Sequence, residues 1–305
     1  MTPDSLAMLQ VIADTGSFAA AARHLGLVPS ALTYRVRQIE DALDVLLFDR
    51  SARQARPTEA GAELLREGAR LLQDVDAVAN RVRRVATGWE PQLTISVDGV
   101  VSPTTMLELV EAFYALQPPT RLKLRNGILT GTLEALTSGH ADLAIGVAVS
   151  SGNIAGLQQD LLGDALFLFV VAPHHPLASA PEPLTDAVLR QHRVIAVADS
   201  APRGGVTMGI LDGQDVLTVD TMQAKIQAQL RGLGGGFLPE PMVRPYVEAG
   251  RLVVRKVARP VRSVRVHYAW GGPGFSSPGR ALQWWLTQLQ RDATRHALLE
   301  NHHHF

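Results

Sequence analysis

The sequence predicts an α/β protein in three parts: a small amino-terminal domain with a helix-turn-helix, a long helix, and a carboxy-terminal domain of two α/β lobes. Three patterns predict these parts. Residues 16–58 combine two short amphipathic helices with a glycine turn and an arginine-bearing loop. Residues 58–86 contain no proline and place an apolar residue at every seventh position. After Pro91, β-rich runs alternate with helical patterns, which is typical of sheets covered by helices.

The two short helices of the first part have recognisable start signals. Ser17 is the predicted N-cap of the first helix, and Gly26 turns the chain after it. Pro29 suits the first position of the second helix, because its missing N–H costs nothing there. The spacing predicts buried stripes made of Phe18, Ala21, Ala22 and Leu25 in the first helix and of Ala31, Leu32, Val36, Ile39 and Leu43 in the second.

The outer face of the second helix carries hydrogen-bonding side chains of mixed length: Ser30, Thr33, Tyr34, Arg37 and Gln38. Such a face suits a helix in the major groove of DNA, because hydroxyl groups reach phosphates or base edges and arginine can bind guanine. A solvated helix face would show a similar pattern. The residues alone therefore leave both interpretations open.

Residues 59–88 are predicted to form one long helix with a heptad seam. Its a-type positions are Leu64, Leu71, Val78 and Val85, and its d-type positions include Val75 and Val82. The pattern is typical of a coiled coil between two chains, although an amphipathic helix packed on its own domain would also show it. Gly68 takes a d-type position and is expected to weaken the seam or allow a bend. Gly88 and Pro91 predict the end of the helix.

The last part is predicted to hold parallel sheets covered by helices. The predicted strands are 93–97, 121–125, 142–147, 166–172, 193–197, 216–219 and 264–270, and the predicted helices are 104–116, 131–138, 221–231 and 278–295. The β-rich runs cluster on both sides of Asp160, which indicates two lobes. The glycine run at 234–236 lacks the spacing and the lysine of a phosphate-binding loop, so we do not predict nucleotide binding.

Composition excludes several classes of site. The formal net charge is zero, and residues 1–58 hold six arginines against six acidic residues, so the arrangement of charge must support any DNA binding. The chain contains no cysteine, which excludes disulfides and thiol chemistry and fits a reducing compartment. We find no leader pattern and no long apolar run, and we expect a cytoplasmic protein without membrane contact. Residues 301–305 look like a remnant of a purification tag.

A string of residues in the first domain carries a specific resemblance: Gly16-Ser17-Phe18, Ala21-Ala22, Leu25, 29–33, Ile39-Glu40, Leu43, 47–50 and 57–61. With these residues the chain closely resembles the LysR-type transcriptional regulators. One departure is Val28, where the family commonly has a serine that caps the recognition helix. Pro29 partly replaces that start signal.

The resemblance implies a winged helix-turn-helix DNA-binding domain at residues 1–58, a dimerising linker helix at 59–88, and an effector-binding domain at 91–300 that is similar to periplasmic solute-binding proteins. Lobe 1 would comprise 91–164 and 269–300, and lobe 2 would comprise 165–268, with crossings near 163–166 and 264–269. The DNA-binding residues would be Ser17, Pro29, Ser30, Thr33, Tyr34, Arg37, Arg50, Arg53 and Arg56. The last three would lie on the wing and contact phosphate or the minor groove, whereas a solvated loop is the alternative.

An effector is expected beyond the carboxyl ends of the strands, where helix N-termini present free N–H groups. In lobe 1 two segments fit, with Val100, Ser102 and Thr104 in one and Leu129, Thr130 and Thr132 in the other, although each could be only a helix cap. The resemblance adds Ser200, Arg203, Thr221 and Phe237 from lobe 2. Arg203 could pair with a carboxylate or be an exposed loop arginine. The apolar walls suggest a small aromatic or other organic acid.

Two classes of function compete at this point. The first is a transcriptional regulator that binds double-stranded promoter DNA and a small-molecule effector as a dimer or tetramer, with RNA polymerase as a further candidate partner. The alternative is a solute-binding or enzymatic α/β module with an accessory N-terminal domain. We find no G-x-S-x-G, H-E-x-x-H or P-loop motif, and His174-His175 is flanked by prolines in a turn. We predict no catalytic residue, no cofactor and no metal site.

Overall fold

The structure is a computed structural model that describes residues 1–49, 55–148, 154–201, 208–260, 262–272, 275 and 277–302, without the side chains of 73, 77, 80, 81, 83, 84 and 262. The chain divides into two compact units, with the division between Ala86 and Thr87. No helix among the described residues is long and apolar enough to cross a membrane.

The first unit is helical with one short hairpin. Its elements are α1 (Pro3–Thr15), α2 (Phe18–His24), α3 (Pro29–Leu43), β1 (Phe48–Asp49), β2 (Arg56–Pro57) and α4 (Glu59–Thr87). The predicted helix starts are confirmed. Ser17 caps α2 by accepting a hydrogen bond from the backbone N–H of Ala20, and α3 begins at Pro29 without a side-chain cap from Val28.

The core of the first unit joins the inner faces of α1, α2 and α3 to the hairpin. Phe18 packs edge-to-face on Phe48, with ring centroids 5.5 Å apart. The carboxylate of Glu40 is buried and accepts hydrogen bonds from the backbone N–H groups of Leu47 at 2.8 Å and Phe48 at 3.4 Å. Glu40 therefore fixes the end of α3 to β1, since a buried N–H without an acceptor would be costly.

The long helix α4 has two different surfaces along its length. At Gly68 it lies so close to α1 that an added Cβ would meet the Leu6 side chain at 2.9 Å. The glycine thus permits close helix packing within the first unit, which the seam pattern did not predict. Farther along, the apolar seam is exposed, with Val82 65% and Val85 86% accessible.

The second unit alternates strands and helices. Its elements are β3 (Gln92–Asp98), α5 (Pro103–Tyr114), β4 (Arg121–Gly127), α6 (Thr130–Thr137), β5 (Leu143–Val147), β6 (Leu157–Val171), α7 (Asp186–Arg190), β7 (Val194–Val197), β8 (Val216–Val219), α8 (Met222–Leu230), β9 (Gly236–Pro239), α9 (Glu240–Glu248), β10 (Val253–Val254), β11 (Arg262–Gly271), α10 (Arg280–Leu289) and α11 (Asp292–Glu300). The helix predicted at 278–295 is in fact two helices, α10 and α11.

The main sheet has the strand order β10-β6-β11-β5-β3-β4, with β9 also paired to β6, while β7 and β8 pair with each other. Parallel pairing holds for β3 with β4 and β5 and for β7 with β8. The expectation of parallel sheets is therefore only partly correct. β6 and β11 pair antiparallel with each other and with their neighbours, because each carries the chain between the lobes in the opposite direction.

These two crossing strands include the segments where the chain is predicted to change lobe, 163–166 and 264–269. β6 runs for fifteen residues and pairs with β11 over its first part and with β9 and β10 over its second. A separate apolar cluster lies on each side. Leu93, Ile95, Phe113 and Trp285 are among the core of lobe 1, and Val170, Ile226 and Leu238 among that of lobe 2.

Candidate functional site

The outer face of α3 is accessible, as its polar pattern predicted. Ser30, Tyr34 and Arg37 are exposed, with Tyr34 62% accessible, while Leu32 and Val36 on the opposite face are buried. Thr33 is half-buried and its hydroxyl donates to the carbonyl of Pro29 at 2.9 Å. The face therefore presents a hydroxyl, a phenol and a guanidinium side by side, with no role in the core.

The remaining predicted DNA contacts have different surroundings. Pro29 is exposed at the first turn of α3, whereas Ser17 is half-buried and serves as the cap of α2. Arg56 is exposed on β2, and its backbone lies opposite that of Asp49 in the β1–β2 hairpin. Arg50 and Arg53 lie outside the described residues.

In the second unit, Asp98 joins both predicted effector segments of lobe 1. Its carboxylate lies at the end of β3 and accepts hydrogen bonds from the N–H of Val100 at 3.0 Å, the N–H of Leu129 at 2.9 Å and the hydroxyl of Thr132 at 3.0 Å. Burial raises the pKa of the Asp98 carboxyl to about 6, and the nearby charge of Asp199 adds to that rise, while the hydrogen bonds oppose it. No motif in the sequence marks Asp98.

Lobe 2 reaches the same place with a second carboxylate. Asp199, which follows β7, accepts hydrogen bonds from the N–H of Gly131 at 3.0 Å, from the N–H of Thr130 at 3.2 Å and from the Thr130 hydroxyl. Beside it, the hydroxyl of Ser200 accepts from the N–H of Ile128 at 2.9 Å. The structure thus brings Thr130, Ser200 and their neighbours together as a contact between the lobes.

The other predicted effector residues are spread around this contact. Val100 is buried, and Ser102 caps α5 by accepting from the N–H of Thr105 at 3.1 Å. Thr104 is half-buried in the first turn of α5. Thr221 caps α8, and Phe237 packs edge-to-face on Phe169 at 5.3 Å. Arg203 lies outside the described residues.

A cavity of about 490 Å³ lies next to Asp98 and between the lobes. Its apolar wall includes Val101, Met106, Leu124, Ile128, Met222 and Met242, and its polar atoms come from Asp98, Arg125, Asn126, Thr221, Gln223 and His302. The volume is in the range of small-molecule sites. Of the ten predicted effector residues, Thr221 is the one that lines this cavity within the described part of the chain.

The carboxyl-terminal residues take part in this region. The Ser102 hydroxyl donates to the carbonyl of Asn301 at 2.7 Å, and His302 is buried against the cavity. The assignment of 301–305 to a tag stays a prediction, but residues 301 and 302 pack on lobe 1 as part of its surface.

Two family models match the chain and together span most of it. The LysR substrate binding domain matches residues 86–294, and the bacterial regulatory helix-turn-helix protein of the lysR family matches residues 3–62. The helix-turn-helix match ends near the start of α4, and the substrate-binding match begins near its end. They therefore cover both units of the structure.

Relatives and solved structures agree with these models over nearly full length. The uncharacterized HTH-type transcriptional regulator YeeY of Escherichia coli strain K12 is 36% identical over 94% of this chain and 92% of its own. The probable HTH-type regulator YhaJ of the same strain is 35% identical over 95% of this chain and 96% of its own. The crystal structure of full-length CbnR with its target DNA has a TM-score of 0.61 at 17% identity, covering 96% of this chain and 100% of that one. At that identity the solved structure shows the fold alone.

Proposed function

We propose that this chain, which belongs to the LysR family of transcriptional regulators, binds its promoter operator with α3 and the wing and answers to a small organic effector held between its two lobes. The observation that carries the proposal is the division of α3 into a buried apolar face and an exposed face of hydrogen-bonding side chains. A helix of this kind can enter the major groove while its inner face keeps the domain folded.

On this proposal the predicted DNA contacts divide by role. Ser30, Thr33, Tyr34 and Arg37 reach base edges, because they lie along one face of α3. Ser17 and Pro29, at the helix starts, and the wing residues Arg50, Arg53 and Arg56 contact the phosphate backbone and set the position of α3. Neutral overall charge makes the binding by one domain weak, so two or more domains must act together.

The exposed seam of α4 supplies that pairing in our proposal. Val75, Val78, Val82 and Val85 are large apolar residues that are 49% to 86% exposed in the single chain. Their heptad spacing allows the same helix of a second copy to cover them. The resulting dimer, or a tetramer made of two dimers, would place paired recognition helices on one operator. The DNA-bound oligomer would then be available to contact RNA polymerase. Such a protein works where the chromosome lies, in the cytoplasm, and is no enzyme.

The cavity beside Asp98 is the proposed effector site, together with the predicted segments of both lobes. Its apolar wall fits an organic molecule, and Arg125 and Thr221 at its edge can orient polar groups. An effector alters transcription only if it prefers one arrangement of the lobes. The full-length LysG of Corynebacterium glutamicum, solved with bound effector Arg, has a TM-score of 0.51 to this chain at 24% identity and covers 98% of it.

A gel-shift experiment with the gene's own upstream region tests the assignment of α3. We expect Arg37→Ala to reduce the preference for the operator over a scrambled duplex by about fivefold to a hundredfold, the usual value of one base contact. Arg35→Ala is the matched control, because Arg35 is exposed on the same helix and loses the same charge. Equal effects of the two variants on that preference, or failure of the wild type to bind at low salt, would contradict the proposal.

A further inference from the structure

The amino terminus of α6 is a place where an anion would normally bind, since its first N–H groups have no partner inside the helix. In this protein the donors are already engaged. Asp98 of lobe 1 takes the N–H of Leu129 and the hydroxyl of Thr132. Asp199 of lobe 2 takes the N–H groups of Thr130 and Gly131 together with the Thr130 hydroxyl.

The backbone around α6 is shaped to receive the loop from lobe 2. Leu129 has a φ of 52°, a left-handed conformation that is unfavourable for leucine and is held by its bond to Asp98. Gly131 leaves no room for a side chain, because an added Cβ would lie 2.7 Å from the backbone nitrogen of Ala201. A strained turn and a required glycine thus let Asp199 and its neighbours approach the helix end.

The approach is tight on the side of lobe 2 as well. The Asp199 oxygen that accepts from the N–H of Gly131 also accepts from the N–H of Ala201 at 3.0 Å, which orients the carboxylate toward α6. The backbone N–H of Ser200 donates to the carbonyl of Ile128 at 3.3 Å, in addition to the bond between the Ser200 hydroxyl and the N–H of Ile128. The loop therefore binds lobe 1 as an extended ligand would, with one carboxylate and one peptide group.

We propose that the carboxylate of Asp199 is a built-in ligand of the cleft: it occupies the anion position at the amino terminus of α6 and so fastens lobe 2 to lobe 1. The inference rests on the proposed function only in that it calls this cleft an effector site. An acidic effector reaches these N–H groups only by displacing Asp199, and that exchange separates the loop from α6. A neutral effector in the adjacent cavity leaves the contact in place.

Hydrogen exchange of the full-length protein tests the proposal through the amides of Thr130 and Gly131. Asp199→Ala should speed the exchange of the Thr130 amide by about tenfold or more, because its hydrogen bond to a charged acceptor is lost. The exchange of Gly131 should rise less, because its N–H also donates to the carbonyl of Ile128 at 3.1 Å. Sodium acetate should slow exchange again in this variant, whereas sodium chloride at equal ionic strength should not, and neither salt should alter the wild type. Asp212→Ala is the control, since Asp212 is an exposed aspartate of the same lobe.

Several results would overturn the proposal. Unchanged exchange at Thr130 and Gly131 in Asp199→Ala would show that Asp199 does not hold them, and acetate without effect on that variant would show that the position is not an anion site. If the exchange of the β3 amides rises as much, Asp199→Ala is unfolding. The variant Asp199→Asn then tests the proposal. The asparagine keeps the oxygen that faces Gly131, so Thr130 should lose protection while Gly131 keeps it. A loss at Gly131 as large as in Asp199→Ala would refute the assignment. These measurements use no DNA, so their outcome does not depend on the outcome of the gel-shift experiment.

Discussion

The recognition helix and the cleft use polar side chains in opposite ways. On α3, Tyr34 and Arg37 point outward and have no part in the core. In the cleft, Asp98 and Asp199 point inward, and each holds several donors of lobe 1. A polar side chain near a ligand site can therefore either be accessible to a ligand or hold the fold together by hydrogen bonds within the protein. The two kinds respond differently to substitution.

The largest expected effect concerns Glu40, a polar residue of α3 whose side chain accepts backbone hydrogen bonds, as those of Asp98 and Asp199 do. Glu40→Ala leaves the N–H groups of Leu47 and Phe48 buried without this acceptor, so we expect a loss of about 4 kcal/mol of unfolding free energy. Urea unfolding measures it. Glu40→Gln is the control, because its amide oxygen can still accept one bond. If glutamine costs as much as alanine, the hydrogen bonds are not the reason for the loss.

The next effect is a pH dependence from Asp98. The folded-state pKa is about 6 and the ordinary value 3.8, so the folded protein binds this proton more tightly than the unfolded chain does. The stabilisation from Asp98 is therefore full below about pH 4 and is lost as the pH rises through 6, a change of about 3 kcal/mol.

Comparison with Asp98→Asn isolates this change, because other titrating groups contribute alike to both proteins. The stability of the wild type relative to the variant should fall between pH 4.5 and pH 8, roughly over the range in which Asp98 ionises, and urea unfolding at several pH values measures it. A relative stability that stays constant or rises with pH would show that the carboxylate is not destabilised by burial.

The smallest of the three effects concerns the exposed seam of α4. Val82→Glu places a charge where a second helix would pack, so we expect operator affinity to fall by about a hundredfold, the usual gain from linking two domains. Gel shift and mass measurement of the oligomer check it together. Leu233→Glu is the control, since Leu233 is an exposed apolar residue of the second unit. An unchanged oligomer with Val82→Glu would contradict the pairing role.

Much of the fold could be predicted because its signals are local. Ser17 and Pro29 mark helix starts by their own chemistry, and the alternation of strands and helices after Pro91 indicates an α/β domain. The elements that were missed include α7, α9, the first nine residues of β6, the short strand β9 and the break between α10 and α11. The strand β9 forms because it pairs with β6, and its own four residues carry no signal of that distant partner.

The cleft was predicted less completely for the same reason. The segments around Ser102 and Thr130 were selected as helix starts, and they do lie at helix starts. Asp98 was not selected, and beside Asp199 the neighbouring Ser200 was named instead, because neither aspartate belongs to a motif. Their importance arises from partners that are 31 to 34 and 68 to 69 residues away along the chain.

The helix-turn-helix, the long helix with its seam, the two lobes and the family follow from the sequence alone. Each depends on residues within a few turns of one another, so periodicity and capping chemistry express it. The tertiary structure sets which polar groups are free and which are engaged. It placed Gly68 against α1, Glu40 against the hairpin and Asp199 against α6, because burial and hydrogen bonding depend on which distant segments meet.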